Sequence, residues 1–334
     1  MAYFIGQNAR VCITIQNEVA ATGSTFDGTV TEDNYTCVKI KAGGFSYNIR
    51  NSKSLVDELD VDLSDYVTGG KYFTWSLELP LSYSNREKFF RLWAGGSIST
   101  SEAPAPYTHT QSLADKVLFG ALRLEYTEQG AQEDEVIFET FTNVAVSAIS
   151  ISQSVGKSAD MTVSGIATAR ARTTTNASLT TVQSTEAVKW TELTATLNGA
   201  STYRLGSVKG DLDASLVEGE FDLATTTPTV LPFIGRSGHR GVKWNFNIRM
   251  DDSAHSLMGD PTTEFTGTNS LVWNNGEADG DEREISITFG DSYIDSVSRN
   301  PTSWGRESCS INMVSLDKSP ALIQLTTTNS LDSI

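Results

Sequence analysis

Three cysteines, three histidines and 25 basic residues are few for a chain of 334, and each scarcity closes a route to function. Cys12, Cys37 and Cys309 are odd in number and unrelated in spacing, with no CxxC pair for zinc or redox work. They read as buried, reduced thiols acting as small hydrophobes. His109 falls in a Pro- and Ser-rich loop, His239 in the glycine-rich turn GRSGHRG, and His255 on a short helix. None has a partner at metal spacing such as HExxH, so each is expected to be exposed or locally hydrogen-bonded. No apolar run approaches the ~20 residues of a spanning helix. The opening MAYFIGQNARVCITIQ has no basic region followed by an apolar stretch, so no secretory signal is read, and folding in a cytoplasm is expected. With 41 acidic residues the net charge is -16, which argues against gripping a phosphate backbone. An acidic wall instead repels nucleic acid and lets it slide past.

What is present is a duplication. The strand-like run FSYNIR leads into a loop holding Lys53, Asp57, Glu58, Asp60, Asp62 and Asp65, and the chain returns as KYFTWSLEL. Further on, LTATLNGASTYRL leads into a loop holding Lys209, Asp211, Asp213, Glu218, Glu220 and Asp222, and the return is GVKWNFNIRM. Each loop carries one lysine and five acids. Two copies are too few for a solenoid, and 334 residues suit about two domains. The boundaries predicted are a first domain 1–168, a linker 169–186 rich in Thr, Ala and Ser, and a second domain 187–334.

Both return segments alternate with period two: Phe73, Trp75, Leu77 and Leu79 in one, Val242, Trp244, Phe246 and Ile248 in the other. Trp75 and Trp244 are placed at the same point of two cores. Helix is scarce. SNREKFFRLWAGG predicts one, capped by Ser84 or Asn85 and stopped by Gly95; DDSAHSLMGD predicts a shorter counterpart with Leu257 and Met258 as its contacts. At the domain ends Phe141 answers Phe289, Val146 answers Ile294, and Gly156-Lys157 answers Gly305-Arg306, each implying two strands joined at a glycine turn. The fold class expected is all-β with one short helix per domain, as a sandwich or barrel.

No chemical motif survives inspection. SVGKSAD carries the GKS of a phosphate loop, but Ile151 stands where GxxxxGK[ST] needs glycine, and the flanks read as hairpin strands. NGEADGDERE lacks the calcium register and reads as a solvated turn. Carboxylate pairs for glycoside cleavage exist in any acidic chain, but the two acidic loops offer only Tyr66 and Phe221 as sugar platforms. No catalytic, metal or cofactor site is assigned.

Several segments, in their order, resemble the tail tube proteins of long, non-contractile-tailed bacteriophages, in the class where the tube domain is duplicated within one chain. They are YFIGQNARVCITIQNE, YFTWSLELPLSYSNREKFFRLWAGG, PYTHTQSLADKVLFGALRLEYTEQG, NVAVSAISISQSVGKSADMTVSGIAT, ISITFGDSYIDSVSRN and LIQLTTTNS. Together they span nearly the whole chain. The resemblance implies tandem β-sandwich domains whose sheets join those of neighbours into a closed inter-subunit β-barrel. It also implies a homotrimeric ring of pseudo-sixfold symmetry, stacked through the loops 51–70 and 206–239. The implied partners are other copies of the chain, the tape-measure protein, the tail terminator and the distal tail proteins. Double-stranded DNA is expected to pass through without specific binding, and the net charge adds the expectation of an acidic channel, with Glu78 or acids of EYTEQGAQEDE as candidates for its wall. The implied location is the virion tail, assembled in the bacterial cytoplasm, with no membrane insertion. A carbohydrate- or receptor-binding sandwich of a tail tip or cell surface is the competing expectation.

Overall fold

Segments whose side chains alternate between apolar and polar form strands along most of this chain. The computed structural model describes residues 9–15, 35–40, 44–55, 66–101, 105–127, 136–175, 182, 186–199, 204–217, 220–223, 230–233, 236–249, 264–277, 281–300, 307–316 and 322–329. The first half contains β1 (Arg10–Ile15), β2 (Thr36–Lys39), β3 (Phe45–Leu55), β4 (Tyr66–Pro80), the helix α1 (Glu87–Ala94) and the hairpin β5 (Gly95–Thr100) and β6 (Tyr107–Leu113). It continues with β7 (Gly120–Thr127), β8 (Val136–Ser154), β9 (Asp160–Ala167) and β10 (Ala169–Thr175). The second half contains β11 (Leu193–Thr196), β12 (Leu205–Asp213), β13 (Glu220–Leu223), β14 (Val230–Phe233), β15 (Gly241–Arg249) and β16 (Glu264–Phe265). It ends with β17 (Asn269–Asn274), β18 (Glu284–Phe289), β19 (Ser292–Asn300), β20 (Ser308–Ser315) and β21 (Ile323–Asn329). The fold is mostly β, and among the described residues no sheet closes into a barrel.

The halves pair their strands alike. In the first, β3 pairs β4, β4 pairs β9 and β9 pairs β8; in the second, β12 pairs β15, β15 pairs β20 and β20 pairs β19. The registers agree as well. Trp75 stands opposite Gly165, and Trp244 opposite Met313. One irregularity lies between Val146 and Ala148 of β8, opposite Gly165 and Ser164; its match lies between Ile294 and Ser296 of β19, opposite Met313 and Asn312. Bulges bend a strand at a fixed place, and these two sit where the sequence aligns Val146 with Ile294.

β8 serves two sheets. Its first part pairs β7 and β10, and its later part pairs β9. The changeover comes near Asn143, whose φ of 54° is a left-handed conformation that asparagine tolerates. The second half makes the same change by breaking: β18 pairs β17 and β21, Gly290 and Asp291 intervene, and β19 pairs β20. A strand that bends between sheets lets both apolar faces close on one core. Phe141 there meets Phe45, Tyr47 and Phe73 with ring centroids 5.8, 5.2 and 6.0 Å away, while Phe289 stacks on Trp244 at 5.0 Å.

Several expectations are corrected. Cys12 and Cys37 are joined in a disulfide across β1 and β2, so only Cys309 is a free, buried thiol. Ala169–Thr175, expected to begin the linker, is instead strand β10, held antiparallel to β8. Neither Ser84 nor Asn85 caps α1. The N-cap position is Arg86 and makes no side-chain cap bond, whereas Gly95 closes the helix in the left-handed conformation as expected. His109 is on β6 rather than in a loop and is fully buried; its expected local hydrogen bond is present, with Nδ1 2.9 Å from Thr100 Oγ1. The GKS segment is, as expected, a hairpin turn, between β8 and β9, with Gly156 at φ 76°. The second expected helix, with His255, Leu257 and Met258, lies outside the described residues.

Candidate assembly interface

The two halves meet strand to strand. β8 pairs antiparallel with β12, Ser154 facing Ser207, Ser150 facing Asp211 and Ala148 facing Asp213. The sheet therefore continues unbroken as β3-β4-β9-β8-β12-β15-β20-β19. Further bonds fasten the seam at both ends: Val155 N–H donates to the Gly206 carbonyl at 3.1 Å, and Ala214 N–H to the Ser147 carbonyl at 2.8 Å. On the wet face Ser150 Oγ donates to Asp211 at 2.8 Å; in the core Trp273 Nε1 donates to Gln153 Oε1 at 2.7 Å.

A second layer crosses the same seam. The hairpin β5–β6 lays β6 along β21, with Gln111 facing Leu325 and His109 facing Thr327. Behind it, Phe90 and Trp93 of α1 close on Leu212, Ile287, Ile323 and Leu325. These contacts follow from the α1 sequence, in which Phe89, Phe90, Leu92 and Trp93 are all buried, so that the short helix is apolar toward both halves. Two arginines of the second half tie off carbonyls of the first: Arg240 bonds those of Ala94 and Ala114, and Arg236 that of Lys116 at 3.3 Å as well as Ala214 of its own half at 3.1 Å. Buried carbonyls require such donors.

α1 carries charges into this packing. Glu87 is 1% exposed; it accepts from Asn329 of β21 at 2.8 Å and from the Arg86 backbone N–H at 2.8 Å. Burial pushes its carboxyl above the ordinary glutamate range. Burial likewise pushes the neighbouring Lys88 down to about 8. A lysine whose native pKa is depressed binds its proton more tightly when unfolded. Its contribution to stability therefore rises with pH from about 8 to its ordinary 10.5 and is lost as pH falls. Lys88→Met is expected to raise stability at pH 7 by about 1 kcal/mol and to flatten the stability difference across that window, measured by urea melts at successive pH values.

The residues expected in stacking loops are distributed as follows. Lys53 is on β3, and Asp57, Glu58, Asp60, Asp62, Asp65 and Glu218 lie outside the described residues. Lys209, Asp211 and Asp213 are not in a loop. They alternate with Val208, Gly210 and Leu212 along β12, the strand that forms the seam, and Lys209 Nζ reaches Asp211 at 2.8 Å. Glu220 and Asp222 belong to β13, which pairs β14 in a two-stranded ribbon inside the expected loop. LTATL, taken as the strand before that loop, is β11 and pairs β17 instead. What sequence reasoning missed is the seam itself; the period-two pattern of LGSVKGDLD could have marked it as a strand but not named β8 as its partner.

The solvent face of the continuous sheet is rich in hydroxyl and amide groups: Ser76, Thr162, Ser152, Asn245, Asn312 and Ser298 among others. Its regularly paired ionisable groups, among the described residues, are the cations Arg50, Lys209, Lys243 and Arg249 and the carboxylates Glu78, Asp160, Asp211 and Asp213. They cancel. Asp295, exposed at the β19 bulge, is the one further acid beside them among the described residues. Glu125, from EYTEQGAQEDE, is fully buried and paired with Arg123 at 2.9 Å, so it lines no surface.

Beside the seam is a cleft of about 800 Å³ lined by Gln111, Asp115, Arg236, His239, Arg240 and Gln324, with apolar contacts from Leu113, Leu322 and Ile323. Among the described residues no Phe, Tyr or Trp ring lines it. Ligand pockets commonly use such rings as platforms. Cys12, Cys37 and Glu125 form the one cluster of metal-ligand type among the described residues, and the disulfide occupies both sulfurs. No protein-family model matches this chain, and no curated protein matches it.

Proposed function

We propose that this chain is a structural subunit of a phage tail tube: two tandem sandwich domains of tail-tube type, three chains to a pseudo-sixfold ring, rings stacked into a conduit. The observation that carries this reading is the β8–β12 seam. Halves with the same strand order and the same registers share one sheet across it, and a sheet that passes from repeat to repeat can pass from chain to chain. Sharing edges in this way disposes of unpaired strands that would otherwise template aggregation, and ring closure satisfies the last of them.

On this reading the hydroxyl-rich face lines the bore. Double-stranded DNA slides along it because each wall cation has a carboxylate to match it, so phosphates find no basic track to hold them. Most of the -16 excess then belongs to other segments, and the expected acidic lumen becomes a nearly neutral one on its regularly paired strand positions. The tape-measure protein occupies the bore before ejection, and terminator and distal tail proteins close the ends. The reading assigns the chain no reaction and no cofactor.

Electron microscopy of purified protein tests the proposal. Rings or filaments with three chains per layer are the expected outcome, whereas a discrete globule at every concentration would remove it. Of the expected loops 51–70 and 206–239, only the parts between β3 and β4 and between β12 and β15 are proposed to stack rings, because 51–55, 66–70 and 206–213 are strand. Deleting 55 to 66 should leave folded chains that form rings but no tubes; normal tubes from that variant would end the stacking role.

A further inference from the structure

The same strand of the repeat is covered in one half and bare in the other. The registers Trp75–Tyr47 and Trp244–Gly210 match Phe45, Tyr47 and Ile49 of β3 to Val208, Gly210 and Leu212 of β12. Val208, Gly210 and Leu212 are buried, Leu212 to 1% exposure, with β8 paired along their strand and α1 packed by Leu212. Phe45 and Tyr47 are half-buried and Ile49 is 53% exposed. Among the described residues β3 pairs only β4. The opposite edge repeats the contrast. Ile149 and Ile151 of β8 are 0% and 1% exposed, while their matches on β19 are a half-buried Val297 and an exposed Arg299. Beyond Ser292 and Tyr293, which meet β16, β19 has no described partner on its outer side.

We infer that the β3 edge of one chain receives the β19 edge of a second copy, antiparallel, in the register that β8 adopts on β12. Carrying Ser150–Asp211, Ile149–Leu212 and Ala148–Asp213 through the repeat sets Asn48 opposite Ser298, Ile49 opposite Val297 and Arg50 opposite Ser296. Ile49 then gains the apolar neighbour that Leu212 already has in Ile149, and both edges lose their unpaired amides and carbonyls.

This second seam is not a copy of the first in its chemistry. Behind the β12 edge the first half packs against Ile287 and Ile323; the matching positions behind β3 are Glu139 and Arg170, joined at 2.8 Å, with the guanidinium 4.9 Å above the Tyr47 ring. A hairpin like β5–β6 is also missing from the second half among the described residues, since β16 alone lies between β15 and β17. Among the described residues, the seam between copies therefore has one layer of strand pairing backed by an ion pair, and the seam within a chain has two layers backed by aliphatic side chains. Rings should come apart into whole chains at the β3–β19 contact.

The inference rests on the proposed self-assembly only in naming a second copy as the occupant. Ile49→Lys places a charge on a residue that is exposed in the lone chain, so folding should be unchanged by melt. Self-association measured by sedimentation should weaken by about 100-fold, the cost of losing a buried isoleucine and burying a charge. In parallel, Asn48→Cys with Ser298→Cys should link chains under mild oxidation, because facing strand residues lie ~4.5–5.5 Å apart at Cα, within disulfide reach. Asn48→Cys with Ser296→Cys, out of register, should link far less. If wild-type rings or tubes form and Ile49→Lys assembles equally well, or the out-of-register pair links better, the assigned edge is wrong while the tube reading stands. If the wild type stays monomeric, both fall.

Discussion

Trp244→Ala should destabilise the second half by about 3–5 kcal/mol and, with it, any assembly. The indole is 1% exposed, stacks on Phe289 at 5.0 Å and lies 6.4 Å from Phe246. It also spans the sheet, standing opposite Gly210 on one side and Met313 on the other. Removing it leaves a cavity that these strands cannot close, because their spacing is fixed by backbone bonds on both sides. A denaturant melt of the variant reads the loss directly. A midpoint and slope equal to wild type would contradict the strand register. Trp75, 3% exposed at the matching position, should show the same penalty in the first half.

Gly210→Ala is the second large effect, and its size should depend on that same ring. A Cβ at 210 would come 2.1 Å from the Trp244 ring, so the indole must shift or β12 must lift from the seam. Overpacking of this kind costs about 1–3 kcal/mol, occasionally more. In a Trp244→Leu background the clash is gone, and the same substitution should then cost a few tenths at most. The coupling measured by this double-mutant cycle should therefore be large. Additive losses would mean that Gly210 is needed for some other reason. The first half solves the same problem on the other side of its tryptophan: a Cβ at Gly165 of β9 would meet Trp75 at 2.7 Å.

Local patterning was readable where a segment's own residues decide its state. KYFTWSLEL and GVKWNFNIRM alternate cleanly and are strands, and the pairing of Val146 with Ile294 across the repeat carries through to the position of a bulge. Where partners come from afar, the sequence was mute. LGSVKGDLD looked like a loop because Gly210 stands where an apolar side chain would have marked the alternation, and glycine is there only to admit Trp244. The disulfide joins residues 25 apart, a separation with no geometric signature of its own. ARARTTT reads as linker because it has no large apolar residue, and its half-buried position is Arg170. It is a strand because β8 supplies Glu139 to receive Arg170. The seam of β8 on β12 joins strands that are not consecutive, and no periodicity in either announces the other.

The β6–β21 contact also sets a timetable for biosynthesis. Thr108 and Thr328 touch through their hydroxyls although 220 positions separate them, and translation at ~5–20 residues per second makes the wait about 10–45 s. Throughout it the early hairpin has no strand to lie on, and α1 keeps an oily flank turned to water. Factors that shelter nascent chains should thus engage this protein at its first hairpin, and release should follow the emergence of its last strand from the ribosome.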